Sequence, residues 1–115
     1  MAKFFLEIDE LIQNNETQKA LNFLMSELEA QREMFGKEPN SEEVAEIYER
    51  MGLCYDIQRM AERAIESYAK AYRLNLKLKG SNSPKTAKML ESLTDCSNQS
   101  TKSKNKSHTK IESPQ

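Results

Sequence analysis

The chain has 115 residues, with 17 Lys and Arg against 18 Asp and Glu, 37% hydrophobic and 30% charged residues, and only three Gly and three Pro. That length suits one small domain. Few turn residues and high charge point to solvated helices rather than a β-sandwich.

The first predicted helix is Ala2 to Gln13. Phe4, Phe5, Ile8, Leu11 and Ile12 fall on one apolar stripe. Asn14-Asn15 ends it. Helix 2 runs from about Thr17 to Phe35, with Ala20, Phe23, Leu24, Leu28 and Met34 expected inside, and Gly36 can take the positive φ that stops it. Helix 3 starts with Asn40 or Ser41 as N-cap, and Glu42, Glu43 and Glu46 sit near its positive end. Its inner stripe is Ile47/Tyr48, Met51/Gly52 and Tyr55. Helix 4 spans about Ala61 to Lys79, with Ala64, Ile65, Tyr68, Ala71, Tyr72 and Leu76 facing in, and Gly80 closes it. Ser83 and Pro84 then start helix 5, which is expected to end near Asp95 with Ala87, Leu90 and Leu93 inside. No alternating strand pattern occurs, so the fold class is all-α.

Residues 98–115 hold Lys102, Lys104, Lys106 and Lys110 against Glu112, a net charge of +3, leaving −4 on residues 1–97. This polar stretch has little to bury, so a disordered basic tail is expected after a helical domain at 1–97. Four spaced lysines without Arg or aromatics are a weak nucleic-acid signal, and no nucleic-acid partner is expected.

The helices repeat. An offset of 44 aligns Ala20 with Ala64, Leu24 with Tyr68 and Gly36 with Gly80. An offset of 42 aligns Ala45 with Ala87, Tyr48 with Leu90 and Met51 with Leu93. Each unit is a helical hairpin followed by a loop. Two antiparallel helices approach closely only where both carry small side chains. Gly52 on helix 3 with Ala64 and Ala71 on helix 4 would allow that. Gly52 costs about 1 kcal/mol of helix propensity relative to Ala, so a packing reason is implied.

The central unit, Tyr48-x2-Met51-Gly52-x2-Tyr55-x8-Ala64-x3-Tyr68-x2-Ala71, resembles the tetratricopeptide repeat. Its long second helix and the loop segments FGKEPNSEEVAEIYERMG and LKGSNSPKTAKMLESL are similar to repeats of kinesin light chains. The first unit departs from the pattern at Glu7, Ile8 and Glu27, and the third supplies only one helix. The resemblance implies about five helices, two and a half repeats, stacked as a short α-solenoid, since one hairpin cannot cover its own apolar face.

It also implies a concave groove lined by helices 1, 3 and 5. The positions are Phe5, Leu6, Asp9, Ile12 and Gln13, then Glu46, Glu49, Arg50, Leu53, Asp56 and Ile57, then Lys88, Glu91, Ser92 and Asp95. Acidic members outnumber basic ones. Such a groove should prefer a protein segment carrying basic and apolar residues. Clamping of chaperone C-termini is not expected, because Phe5 and Asp9 stand where Lys and Asn would be wanted.

No catalytic constellation is legible. Cys54 reads as a small buried hydrophobe and Cys96 as an exposed thiol, with no CxxC pairing between them. His108 falls in the tail, and neither a phosphate loop nor metal-ligand spacing occurs, so no cofactor is expected. No run of about 18 apolar residues crosses a membrane. Glu7, Asp9 and Glu10 interrupt the apolar run of the N-terminus, unlike a signal peptide. The expectation is a cytoplasmic, non-catalytic adaptor. The alternatives are a chaperone-like holder of an assembly-prone client, or a self-associating scaffold component, hence a possible homo-oligomer.

Overall fold

A computed structural model describes the backbone of residues 2–112 and the side chains of residues 2–98. It contains five helices and, among the described residues, no strand: α1 (Ala2–Gln13), α2 (Thr17–Phe35), α3 (Glu42–Ile57), α4 (Ala61–Lys79) and α5 (Pro84–Glu112). Helices adjacent in sequence pack against each other: α1 on α2, α2 on α3, α3 on α4 and α4 on α5. This is compatible with a small solenoid.

Local chemistry sets four of the helix boundaries, the ends of α2 and α4 and the starts of α3 and α5. Gly36 and Gly80 end α2 and α4 at φ values of 106° and 86°, where a side chain would be strained. Ser41 is the N-cap of α3, and its hydroxyl accepts a hydrogen bond from the Val44 amide at 3.2 Å. Ser83 does the same for α5, accepting from Lys85 N at 3.2 Å.

The backbone repeats at the offsets read from the side chains. The α1–α2 turn closes with Asn14 N–H to Glu10 O, Asn15 N–H to Ile12 O and Glu16 N–H to Leu11 O. The α3–α4 turn closes with Gln58 to Cys54, Arg59 to Asp56 and Met60 to Tyr55, each 44 residues on. Asn15 and Arg59, the middle residues, take φ of 66° and 65°. Asn tolerates that region and Arg does not favour it. The shared turn therefore follows from how the helices pair, not from the turn residues.

One core runs through the stack. It joins Ile8, Ala20, Leu21, Leu24 and Leu28 to Val44, Ile47, Met51, Cys54 and Tyr55, then to Ala64, Tyr68 and Cys96. Ala71 and Met89 are buried as well. Gly52 is buried against the Tyr68 ring. A Cβ built on Gly52 would lie 2.6 and 2.7 Å from Cδ1 and Cε1 of that ring. Small residues on α3 and α4 thus let the two helices close on an aromatic.

Several inward expectations are corrected. On α2, Phe23 and Met34 are exposed, while Thr17 and Leu21 are buried. At about 100° per residue, Thr17, Ala20, Leu21, Leu24 and Leu28 form one stripe, and Phe23 and Met34 lie more than a quarter turn from its centre. On α4, Leu76 is exposed and Ser67 and Asn75 are buried instead. The buried Asn75 returns its amide to Ala71 O at 2.9 Å. On α5, Ala87 and Leu90 are exposed, whereas Thr86, Met89 and Cys96 are buried and Leu93 is half-buried. Helix α5 packs mainly on α4, with Lys85, Lys88 and Cys96 reaching α3, so its buried stripe is set on that side.

Helix α5 continues to Glu112 rather than ending near Asp95. No Gly or Pro interrupts the sequence between Pro84 and Pro114. The side chains from position 99 onward, His108 among them, and residues 113–115 lie outside the described ones.

Candidate functional site

Asp9, Glu46, Glu49, Arg50 and Lys88, five of the residues assigned to the groove, are brought together with Lys85 across α1, α3 and α5, and their charges are largely spent on one another. Arg50 on α3 donates from Nε and Nη2 to the two carboxylate oxygens of Asp9 on α1, at 2.9 and 3.2 Å. Its Nη1 donates to Glu46 one turn earlier. The guanidinium also lies 4.4 Å from the centroid of the Phe5 ring. Lys85 on α5 places Nζ 3.2 Å from Glu46 Oε2 and 3.2 Å from Glu49 Oε1. Lys88 stands 3.7 Å from Glu49 Oε2. Three carboxylates and three cations thus form a ladder across the three helices, with no net charge. Beside it, Lys79 on α4 pairs with Glu42.

Burial opposes charge in this ladder, and the ion pairs outweigh it. The Arg50 and Lys85 hydrogen bonds hold Glu46 below its ordinary value of 4.5. Asp9 and Glu46 hold Arg50 above its ordinary value, and Glu49 with Glu46 does so for Lys85.

The expectation of an open acidic groove is therefore corrected at its centre. Asp9, Glu46 and Glu49 are structural partners of Arg50, Lys85 and Lys88. Phe5 and Ile12 are half-buried and pack on the core. What remains available lies to either side. Near the start of α3, Ala2, Phe5, Leu6, Glu43, Glu46 and Arg50 line a cleft of about 420 Å³ with Glu42. Further along α3, Leu53 and Ile57 are 39% and 41% exposed, as expected for anchors. On the same helix Asp56 is half-buried, and on α5 Glu91 and Asp95 are exposed. None of these three carboxylates has an ion pair among the described residues. At the 42-residue offset Asp95 on α5 is the counterpart of Leu53 on α3.

Cys96 was expected to be exposed. It is 2% exposed, and its Sγ lies 3.9 Å from Asp56 Oδ1. Cys54 is fully buried, and burial pushes its thiol up from 9.0 to about 11. Burial, then the Asp56 charge, also raises Cys96. The fold favours both thiols in the neutral form, so the unfolded chain ionises first. Stability is therefore full below the ordinary thiol value and falls as pH rises from 9.0 towards about 11. Melting followed by circular dichroism should show a lower Tm at about pH 10 than at about pH 8, and the gap should narrow in Cys54→Ala. An unchanged Tm would mean that the thiols reach water. Neither cysteine has the character of a reactive nucleophile.

Among the described residues, no group of three or more His, Cys, Asp or Glu is placed to hold a metal ion. No described helix is long and apolar enough to cross a membrane. No protein-family model, curated protein or solved structure matches the chain.

Proposed function

We propose that the chain is a non-catalytic protein-interaction module of the tetratricopeptide type, located in the cytoplasm, that accepts a partner segment along α1, α3 and α5. The all-helical hairpin stack, and the backbone turn that recurs after 44 residues, support that architecture. The observation that carries the binding reading is the exposed pair Leu53 and Ile57, together with Asp56 on the same helix and Glu91 and Asp95 on α5, carboxylates with no ion pair among the described residues. Two exposed aliphatic side chains one turn apart offer an apolar anchor, and the flanking acids select what comes with it. The partner is a protein segment carrying an aliphatic residue next to Lys or Arg.

Charge reversal at Glu49 is the wrong test, because it would set a lysine against Lys85 and Lys88. Leu53→Lys with Ile57→Lys changes only exposed positions. Affinity capture from the native cell extract should lose its specific bound protein with this double variant. The exposed control Glu33→Lys should retain it, and both variants should keep the wild-type circular dichroism. Capture that survives Leu53→Lys/Ile57→Lys with an intact fold would show that binding lies elsewhere.

A further inference from the structure

The side of α1 and α2 remote from α3 holds a second cleft, of about 500 Å³. Phe4, Leu11 and Phe23 give it an apolar floor and wall, and Glu7, Glu10 and Lys19 stand at its edge. Every lining residue belongs to α1, α2 or the turn between them, so the cleft marks the α1–α2 end of the stack. We propose that this end is a homodimer interface, in which two copies of the chain meet about a two-fold axis. The proposal is independent of the groove formed by α1, α3 and α5.

Three observations carry it. First, the two ends of the stack differ. A terminal unit in a helical stack needs a polar outer side. Helix α5 has one, with Lys88, Glu91, Thr94 and Asp95 exposed against only Ala87 and Leu90 among apolar residues of its described part. The α1–α2 end is polar too at Glu7, Glu10 and Lys19, but those groups stand around an aromatic side chain. Phe23 there is 49% exposed, beside half-buried Phe4 and Leu11. Second, the charges are self-complementary. Glu7 and Glu10 sit on α1 and Lys19 on α2, and none of the three has an ion pair among the described residues. A two-fold axis that lays α1 of one copy across α2 of the other brings both carboxylates towards the partner copy's lysine, and symmetry makes each contact twice. Third, the other way of using a second copy is unfavourable. Seating α5 on this cleft would bury Lys88, Glu91 and Asp95 against phenylalanine, and such a head-to-tail contact would not close.

Analytical ultracentrifugation over a wide concentration range tests the proposal on the full chain. The wild type should move from the 13.3 kDa monomer towards twice that mass, and no further. Phe23→Glu should leave a monomer of unchanged helicity. Lys19→Glu should weaken the dimer through repulsion of Glu7 and Glu10. Adding Glu7→Lys and Glu10→Lys to Lys19→Glu should restore it, since the pattern is then inverted on both copies. Leu90→Glu should leave the dimer intact. A wild type that stays monomeric would overturn the proposal, as would dimers that survive Phe23→Glu or dissociate with Leu90→Glu. So would a triple variant that fails to recover, growth to larger species, or capture of a different protein through Phe23 by a monomeric chain.

Discussion

Gly52→Ala is expected to destabilise the fold by about 2 kcal/mol and lower Tm by roughly 10 °C. Two effects of opposite sign compete. Alanine is the better helix former by about 1 kcal/mol. Against that, its Cβ would sit 2.6 Å from Tyr68 Cδ1, 2.7 Å from Cε1 and 3.0 Å from Cγ. The clash reaches the root of the ring, so rotation of the ring's far edge cannot relieve it. Tyr68 is buried, and α3 would have to move away from α4. Overpacking of this kind costs about 1–3 kcal/mol, and the loss of native packing outweighs the gain in propensity. In a Tyr68→Leu background the ring edge is gone, and Gly52→Ala should cost much less. Urea unfolding of the four chains in that double-mutant cycle measures the coupling. If Gly52→Ala alone raises Tm, the close approach of α3 and α4 is not what requires glycine.

The second large effect belongs to Arg50. Its side chain is 17% exposed and bridges Asp9, 44% exposed, to Glu46, 24% exposed. Exposed ion pairs contribute about 0–1 kcal/mol, and breaking a buried one costs about 3–5 kcal/mol. The partial exposure of Asp9 places Arg50→Met between these limits, at about 2 kcal/mol, with the contact to the Phe5 ring included. Arg50→Lys should recover only part of this. An ammonium is a point charge and cannot hold both oxygens of Asp9 and Glu46 together in a fixed fork. The expected order of urea midpoints is therefore wild type, Arg50→Lys, Arg50→Met. Faster amide exchange in α1 should accompany the loss, because Asp9 is its charged tie to α3. An Arg50→Lys chain as stable as wild type would show that net charge alone matters at this position.

Helix boundaries were legible in the sequence where a local device sets them. Gly36, Ser41, Gly80, Ser83 and Pro84 each act within a turn of themselves, and the end of α2, the start of α3, the end of α4 and the start of α5 follow from them. The end of α5 has no such device, and composition alone misplaced it. The packing of α3 was legible because Gly52 on a helix otherwise suited to its role demands a reason, and the bulky Tyr68 supplies one. The faces of α2 and α5 were not. A helix at the end of a stack can carry apolar side chains on a side that no neighbour covers, so Phe23, Met34 and Leu90 resembled core residues. The sequence placed Asp9, Glu46, Glu49 and Arg50 on facing helices but did not show their electrostatics. Counting Asp9, Glu46 and Glu49 as available acids ignores partners far away in sequence. Arg50 meets Asp9 across 41 positions, and Lys85 reaches two carboxylates of α3 from the next helix but one. Cys96 differs for the same reason as Leu90, since the rotation of α5 about its axis is set by its packing on α4 and its contacts to α3.

The self-neutralised ladder across α1, α3 and α5 has a consequence for how any ligand is received. An uncompensated row of carboxylates would gather mobile cations, and a basic ligand would gain entropy by releasing them. Here the resident cations are tethered side chains. An incoming lysine or arginine that sought the middle of this face could enter only by exchange, evicting Arg50, Lys85 or Lys88 from its carboxylate. Little is gained from one ammonium replacing another. Under the proposed binding role, discrimination among ligands then falls to shape and to the aliphatic Leu53 and Ile57, while the central charges tie α1, α3 and α5 to one another.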